Sequence, residues 1–278
     1  MIPASFDYVR ATSLAQAVGL LQKDPDGSKL VAGGHTLIPT LKLRLASPAL
    51  LIDIGGIGEL KGIEVADRIR IGALTTHAEL LASEALQKVL PIFHQAADLI
   101  ADPQVRNRGT IGGSLANADP AADWPAAVLA LDAEMDIAGP NGRRTVKATE
   151  FFVDMMQSAV QPNEILCEIR VPMTAKSVAY VKTAQKASGF AIAGVAVVLN
   201  KEGRSVSVGV TGVSAKPFRA HAVENELQGQ DLTPENIRHA ATKTAEGIEP
   251  LSDIHASAEF RAHLAQVNCR RALARANS

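Results

Sequence analysis

Residues 105–125 read VRNRGTIGGSLANADPAADWP and residues 31–37 read VAGGHTL, so paired glycines beside hydroxyl side chains occur twice. Paired glycines permit positive φ angles and close approach of the backbone to a ligand. Consecutive N–H groups, helped by the hydroxyls of Thr36 and Thr110, are suited to cradle phosphates. The first glycine segment (31–37) and the second glycine segment (106–117) together predict a ligand with two phosphates, held by backbone from both sides. The alternatives are a plain strand-to-helix turn and a glycine-rich surface loop.

Other common motifs are missing from the sequence. The run Gly55-Gly56-Ile57-Gly58 lacks the spacing of a dinucleotide-binding Rossmann fingerprint, and no P-loop, H-E-x-x-H or G-x-S-x-G motif occurs. We expect His77, His94 and His221 to be surface or capping residues, and Asp119 and Asp132 to be helix caps or solvated side chains. Asp123 follows the second glycine segment closely, where a carboxylate can accept protons from ribose hydroxyls. His35 is the only histidine inside a candidate site.

Composition narrows the class of protein. The length of 278 residues predicts two domains, and the content of 47 % hydrophobic and 21 % charged residues is ordinary for globular proteins. The formal net charge of -1 predicts no general attraction to nucleic acid or anionic membranes. The two cysteines, Cys167 and Cys269, are too few for an iron–sulfur cluster or a cysteine-rich zinc site in this chain, and they fit a reducing cytoplasm. We expect no metal site, signal peptide or transmembrane helix.

The hydrophobic pattern predicts two subdomains before a boundary at 172–176. Residues 1–55 are expected to form a small α/β unit: an extended N-terminal segment, a helix that begins after Ser13, and strands at 29–32 and 50–54 with a helical or irregular stretch at 37–45 between them. The second subdomain, 56–174, contains these expected elements: a meander at 59–75, a helix at 86–101 that Pro91 interrupts near its start, a glycine-rich loop at 103–117, a helix at 125–131, a hairpin with an Asn141-Gly142 turn, and a strand at 164–171.

The hydrophobic pattern of residues 175–278 differs from that of the preceding subdomains. Three apolar strands at 178–183, 191–199 and 205–213, the last two joined by 200–203, are followed by helical sequence from Arg219, with a helix start at Thr233-Pro234-Glu235. We therefore predict a C-terminal domain with a three-stranded antiparallel sheet and helices, and an α+β class for the whole chain.

The two segments, in this order, closely resemble the FAD-binding medium subunit of the molybdenum hydroxylases, the carbon monoxide dehydrogenase and xanthine dehydrogenase group. The resemblance covers essentially the whole chain. It implies a two-subdomain FAD-binding domain of the vanillyl-alcohol-oxidase (PCMH) type over 1–174, followed by the C-terminal domain of CO dehydrogenase flavoproteins over 175–278. The 4-hydroxybenzoyl-CoA reductase branch is disfavoured, because its cysteine-bearing insertion is missing.

The resemblance also implies roles for individual residues. Asp123 matches the carboxylate that binds the adenosine ribose, Lys182 a lysine near the polar edge of the flavin, and Phe190 an aromatic residue beside the flavin ring. Ile100 and Leu166 match apolar residues that sandwich adenine. The full set of expected cofactor-binding residues is Val31, Ala32, Gly33, Gly34, His35, Thr36, Leu37, Ile100, Gly109, Thr110, Ile111, Gly112, Gly113, Ser114, Asn117, Asp123, Leu166, Lys182 and Phe190.

The function implied is electron transfer within a larger enzyme. Substrate is hydroxylated at a molybdopterin centre on a large subunit, electrons pass through two [2Fe–2S] clusters on a small subunit, and they leave through the FAD of this chain. We expect no catalytic acid, base or nucleophile in this chain. We expect the subunits to assemble as a dimer of heterotrimers. The expected location is the cytoplasm, and the alternative location is the inner membrane, with the complex bound peripherally to it. The alternatives are a stand-alone FAD-dependent oxidoreductase, a nucleotide-binding regulatory module and a structural protein.

We also expect a β-branched residue at Gly33 or Gly112 to abolish FAD retention and to leave the fold largely intact. Arg106 and Arg108 either add positive charge to the site or pack the loop.

Overall fold

The computed structural model describes residues 1–173, 177–200 and 205–278. The N-terminal part is a parallel three-stranded sheet in the order β1-β3-β2. Its elements are β1 (Asp7–Arg10), α1 (Leu14–Lys23), β2 (Ser28–Val31), α2 (Leu37–Lys42) and β3 (Leu50–Asp53). Ser13 caps α1 through a bond to the amide of Gln16, so the predicted start of this helix is confirmed.

The second part contains a five-stranded antiparallel sheet in the order β4-β5-β10-β6-β7, with helices between β5 and β6. A short 3-10 helix, Gly58–Leu60, precedes it. The elements are β4 (Ile63–Val65), β5 (Arg68–Gly72), α3 (His77–Ala82), α4 (Glu84–Val89), α5 (Ile92–Asp98), α6 (Pro103–Arg106), α7 (Ile111–Asn117), α8 (Trp124–Ala130), β6 (Glu134–Gly139), β7 (Gly142–Lys147), α9 (Ala148–Phe151), β8 (Phe152–Asp154), β9 (Gln157–Ser158) and β10 (Ile165–Pro172).

Three predictions in this part need adjustment. The helix expected at 86–101 is two helices, because Pro91 interrupts it between α4 and α5. The glycine-rich loop expected at 103–117 contains α6 and α7, since Asp102 and Thr110 each cap a helix start. The hairpin at 134–147 is confirmed, but Gly139 pairs with Gly142, so Pro140 and Asn141 form the turn.

The third part consists of a four-stranded antiparallel sheet and three helices. The elements are β11 (Ser177–Ala184), β12 (Ala191–Asn200), β13 (Ser205–Thr211), β14 (Phe218–Arg219), α10 (His221–Leu227), α11 (Pro234–Ala241) and α12 (Ala258–Asn277). The prediction of three strands was wrong, because β14 is a two-residue strand paired with Gly209 and Val210 and carries no periodicity. The predicted boundary at 172–176 and the connection at 200–203 lie partly outside the described residues.

Strand β12 is apolar along nearly its whole length because both faces of its sheet are covered. Val195 and Val197 belong to a core with α10, α11 and α12. Ala196 and Val198 lie in the core that also contains Trp124 and Phe93 of the second part. The second and third parts therefore share a hydrophobic core, which fixes the β11–β12 hairpin relative to the helices of the second part.

Candidate functional site

A cavity of about 670 Å³ lies where the three parts of the chain meet. Its wall combines the turn between β2 and α2, the connection from β5 to α3, the second glycine segment, and the β11–β12 hairpin tip. This volume is typical of pockets that enclose a cofactor or substrate. Both glycine segments thus face one common space.

The first glycine segment offers unpaired backbone donors to this space. The amides of Gly33, Gly34, His35 and Thr36 have no acceptor among the residues that the structure describes. Gly34 has a φ of 77°. A Cβ on Gly33 would lie 2.1 Å from the carbonyl oxygen of Arg108. Glycine is therefore required at both positions, and consecutive donors remain available for an anionic ligand.

The second glycine segment is different, because most of its amides are already used. Those of Gly109, Ile111, Gly112 and Ser114 donate to protein carbonyl oxygens, and that of Gly113 donates to Oγ1 of Thr110. The backbone of this segment therefore offers fewer unpaired donors than that of the first, with the Thr110 amide left among the described residues.

What the second segment presents to the cavity is a set of polar side chains, Thr110, Ser114 and Asn117. Its glycines serve close packing. A Cβ on Gly112 would lie 2.6 Å from the carbonyl oxygen of Ala73, so glycine lets α7 pack against the end of β5.

Asp123 is a buried carboxylate on the cavity wall, at the start of α8. Its oxygens lie 2.8 and 2.9 Å from Nζ of Lys182, and Tyr180 donates its hydroxyl to Oδ1 at 2.6 Å. Burial raises the pKa of the Asp123 carboxyl, and the Lys182 ammonium and the Tyr180 hydroxyl oppose that shift. Burial beside this carboxylate also raises the pKa of Tyr180. Two donors from β11 thus hold one carboxylate at the cavity.

Most of the expected cofactor-binding residues line the cavity. Ile100, Leu166 and Phe190 supply apolar surface. Val31, Ile111 and Lys182 are the three that do not line it. Ile111 is fully buried in the core, and Nζ of Lys182 donates to the carbonyl oxygen of Leu99 and to Asp123. Asp123, which was expected at the ribose, and Lys182, which was expected near the flavin, are therefore in direct contact.

The residues of the cavity wall that sequence reasoning missed include His77, Asp119 and Met156. His77 was expected at the surface or as a cap, but it is buried and accepts a hydrogen bond from Trp124. Asp119 was expected as a cap or solvated group. It accepts a bond from the amide of Ala121, and burial raises its pKa. No local pattern marks His77, because its partner Trp124 is distant in sequence.

The two arginines of the second segment have separate roles. Nη1 of Arg106 donates to the carbonyl oxygens of Ile100 and Ala101, at 2.8 and 3.2 Å, so this side chain packs the loop. Arg108 lines a smaller cavity of about 340 Å³ beside Tyr8 and Asp53.

The two thiols are buried, and the described residues contain no cluster of metal ligands. Burial raises the pKa of Cys167 to about 11 and that of Cys269 to about 12, so both are protonated at neutral pH. Within residues 1–173, 177–200 and 205–278, no group of three or more His, Cys, Asp or Glu side chains is placed to hold a metal ion. In the same ranges, no helix has the length and apolar character needed to cross a membrane.

Two family models together cover nearly the whole chain. Residues 4–174 match the FAD binding domain in molybdopterin dehydrogenase. Residues 178–276 match the CO dehydrogenase flavoprotein C-terminal domain.

Curated relatives are similar over their full length. The carbon monoxide dehydrogenase medium chain of Hydrogenophaga pseudoflava is 42 % identical, with 98 % of this chain and 97 % of that protein covered. The nicotine 6-hydroxylase medium subunit of Paenarthrobacter nicotinovorans is 37 % identical, with the same coverage of 98 % and 97 %.

Solved structures agree with this result. A chain of Cu,Mo-CO dehydrogenase superposes with a TM-score of 0.95 at 41 % identity, covering 99 % of both chains. A chain of quinoline 2-oxidoreductase from Pseudomonas putida 86 gives a TM-score of 0.93 at 31 % identity, covering 99 % of this chain and 98 % of that one. These relatives are named for different substrates, so the similarity does not fix a substrate for this chain.

Proposed function

This chain belongs to the family of FAD-binding medium subunits of the molybdenum hydroxylases, and from that membership we propose that it passes electrons from a partner's [2Fe–2S] clusters through FAD to an external acceptor. In this proposal substrate is oxidised on a large molybdopterin subunit, and a small subunit carries the clusters. The names "medium chain" and "medium subunit" of the relatives support such partners. The observation that carries the proposal is the row of unpaired amides, Gly33 to Thr36, on the wall of a 670 Å³ cavity.

The residues present fit a dinucleotide cofactor. The amides of the first glycine segment would hold the pyrophosphate, and the hydroxyls of Thr110 and Ser114 would add hydrogen bonds from the second segment. Asp123 would accept hydrogen bonds from ribose hydroxyls, and Ile100 and Leu166 would contact adenine. When bound, FAD supplies the redox chemistry, while the protein supplies binding, orientation and electrostatics.

Lys182 acts on the cofactor through Asp123 in this proposal. Its ammonium holds the carboxylate ionised and fixed, although burial favours the neutral acid. No side chain of this chain is assigned a role as catalytic acid, base or nucleophile. Phe190 at the hairpin tip is half exposed and would lie beside the flavin ring.

The organisation of the complex forms part of the same proposal. Residues 1–174 would be the FAD-binding domain, with subdomains 1–55 and 56–174, and residues 175–278 the C-terminal domain. Assembly as a dimer of heterotrimers in the cytoplasm follows from the resemblance, and two buried, unpaired cysteines fit a reducing compartment.

The visible absorption spectrum of the purified chain tests this function. We expect a flavin spectrum, FAD released on denaturation, and an iron–sulfur and a molybdopterin subunit in a pull-down from the native host. A colourless chain that takes up no FAD would overturn the cofactor site. Substrate turnover by the isolated flavoprotein would favour a stand-alone oxidoreductase instead.

A further inference from the structure

His77 is a buried imidazole that no assigned role explains. It begins α3, lines the cavity, and is only 5 % exposed. Its backbone amide donates to the carbonyl oxygen of Gly109, which ties α3 to the second glycine segment. One edge of the ring faces Trp124 and the other faces Gly109.

The bond to Trp124 determines the tautomer of His77. An indole nitrogen can only donate, and Nε1 of Trp124 lies 3.1 Å from Nδ1 of His77. Nδ1 is therefore the acceptor, and in the neutral ring the proton must be on Nε2. Burial lowers the pKa of His77 to about 4, and electrostatic repulsion between the protonated ring and its neighbours, including Arg106, acts in the same direction. The ring is neutral at physiological pH.

The Nε2–H group has no acceptor among the described residues. It lies on the side of the second glycine segment, because a Cβ on Gly109 would be 2.8 Å from Nε2. Nε2 is not one of the fully buried polar atoms that lack a partner, so it is accessible from the cavity, where a ligand or water can accept its hydrogen bond. Gly109 and Thr110 line the cavity at this point, and Gly109 lies directly against Gly33 of the first segment.

We propose that His77 binds a phosphate oxygen of the dinucleotide as a neutral donor through Nε2–H, and that Trp124 is the positioning residue that fixes its tautomer. The proposal rests on the proposed function, since it deepens the same site. It adds a side-chain donor beside the second glycine segment, most of whose own amides bond within the protein.

NMR of the apo chain carrying 15N-labelled histidine tests the proposal without a substitution. We expect the correlation pattern of a neutral His77 ring protonated on Nε2. Addition of FAD or ADP should shift the Nε2–H resonance, and riboflavin, which has no phosphate, should not. A ring protonated on Nδ1, a resonance that FAD leaves unmoved, or a shift caused by riboflavin and not by ADP would each overturn it.

The FAD-binding affinity of His77 variants is a second test of the proposal. His77→Met should weaken FAD binding tenfold or more, the expected size for a lost bond to a charged acceptor. His77→Gln keeps a donor amide and should stay within about threefold of the parent. His94→Gln is the matched control, because His94 bonds the carbonyl oxygen of Leu81 away from the cavity. Equal affinity of the Met variant and the parent would refute the role of His77. A parent chain without FAD affinity would instead refute the proposed function.

Discussion

Nζ of Lys182 lies 2.8 Å from Oδ1 of Asp123, and both side chains are almost completely buried. Removing one member of a buried ion pair leaves an uncompensated charge. We expect Lys182→Met to lower the free energy of unfolding by about 3–5 kcal/mol, measured by urea denaturation. The double variant Asp123→Asn/Lys182→Met should recover much of that loss. Simple additivity of the two single variants would contradict a coupled pair.

Gly33→Ala should weaken FAD binding and also lower the melting temperature. A Cβ at this position would lie 2.1 Å from the carbonyl oxygen of Arg108, so the two glycine segments must move apart. The expectation that such a change leaves the fold largely intact is therefore revised. Gly19→Ala is the matched control, since nothing lies within 4 Å of its Cβ, and it should raise stability by roughly 0.5–1 kcal/mol. Unchanged FAD affinity and melting in Gly33→Ala would refute the close approach.

Thr110→Ala should destabilise the chain by about 1 kcal/mol, because the Thr110 hydroxyl caps α7 through the amide of Gly113. Thr110→Ser keeps that oxygen and should restore most of the stability. Calorimetric titration of both variants with FAD would show whether the hydroxyl also contacts the cofactor. Equal unfolding free energies for the Ala and Ser variants would exclude the capping role.

The free energy of unfolding should rise as the pH rises from about 4 to 6.5, because the pKa of His77 is lower in the folded chain than in the unfolded one. Its pKa is about 4 in the folded chain against 6.5 for an exposed histidine, so the unfolded state binds more protons in this window. The stabilisation is fully present above pH 6.5 and is lost as the pH falls towards 4, with a total on the order of 3 kcal/mol. Urea denaturation at several pH values should show a smaller slope for His77→Gln than for the parent. Parallel pH profiles would contradict the low pKa.

Local sequence signals predicted much of the fold. The Ser13 cap, the 134–147 hairpin and the alternating strand at 165–172 are all set by neighbouring residues, and each was found where expected. Strand β14 was missed because its two residues become a strand only by pairing with Gly209 and Val210.

The cavity wall was predicted less completely, for a related reason. The paired glycines marked both segments before the resemblance was considered, and most of the residues of these segments do line the cavity. The burial of His77 depends on Trp124, which is 47 positions away. The use of the Gly112 amide depends on the carbonyl of Ala73. Such contacts exist only after the chain has folded, so no window of sequence contains them.

The hairpin tip formed by Ser188, Gly189 and Phe190 closes one side of the cavity. On the ribosome these residues, like Tyr180 and Lys182, emerge after both glycine segments have been made. The ion pair between Asp123 and Lys182 can consequently form only after strand β11 has been synthesised. The complete cavity wall therefore exists only after the third part has been synthesised and has folded onto the first two.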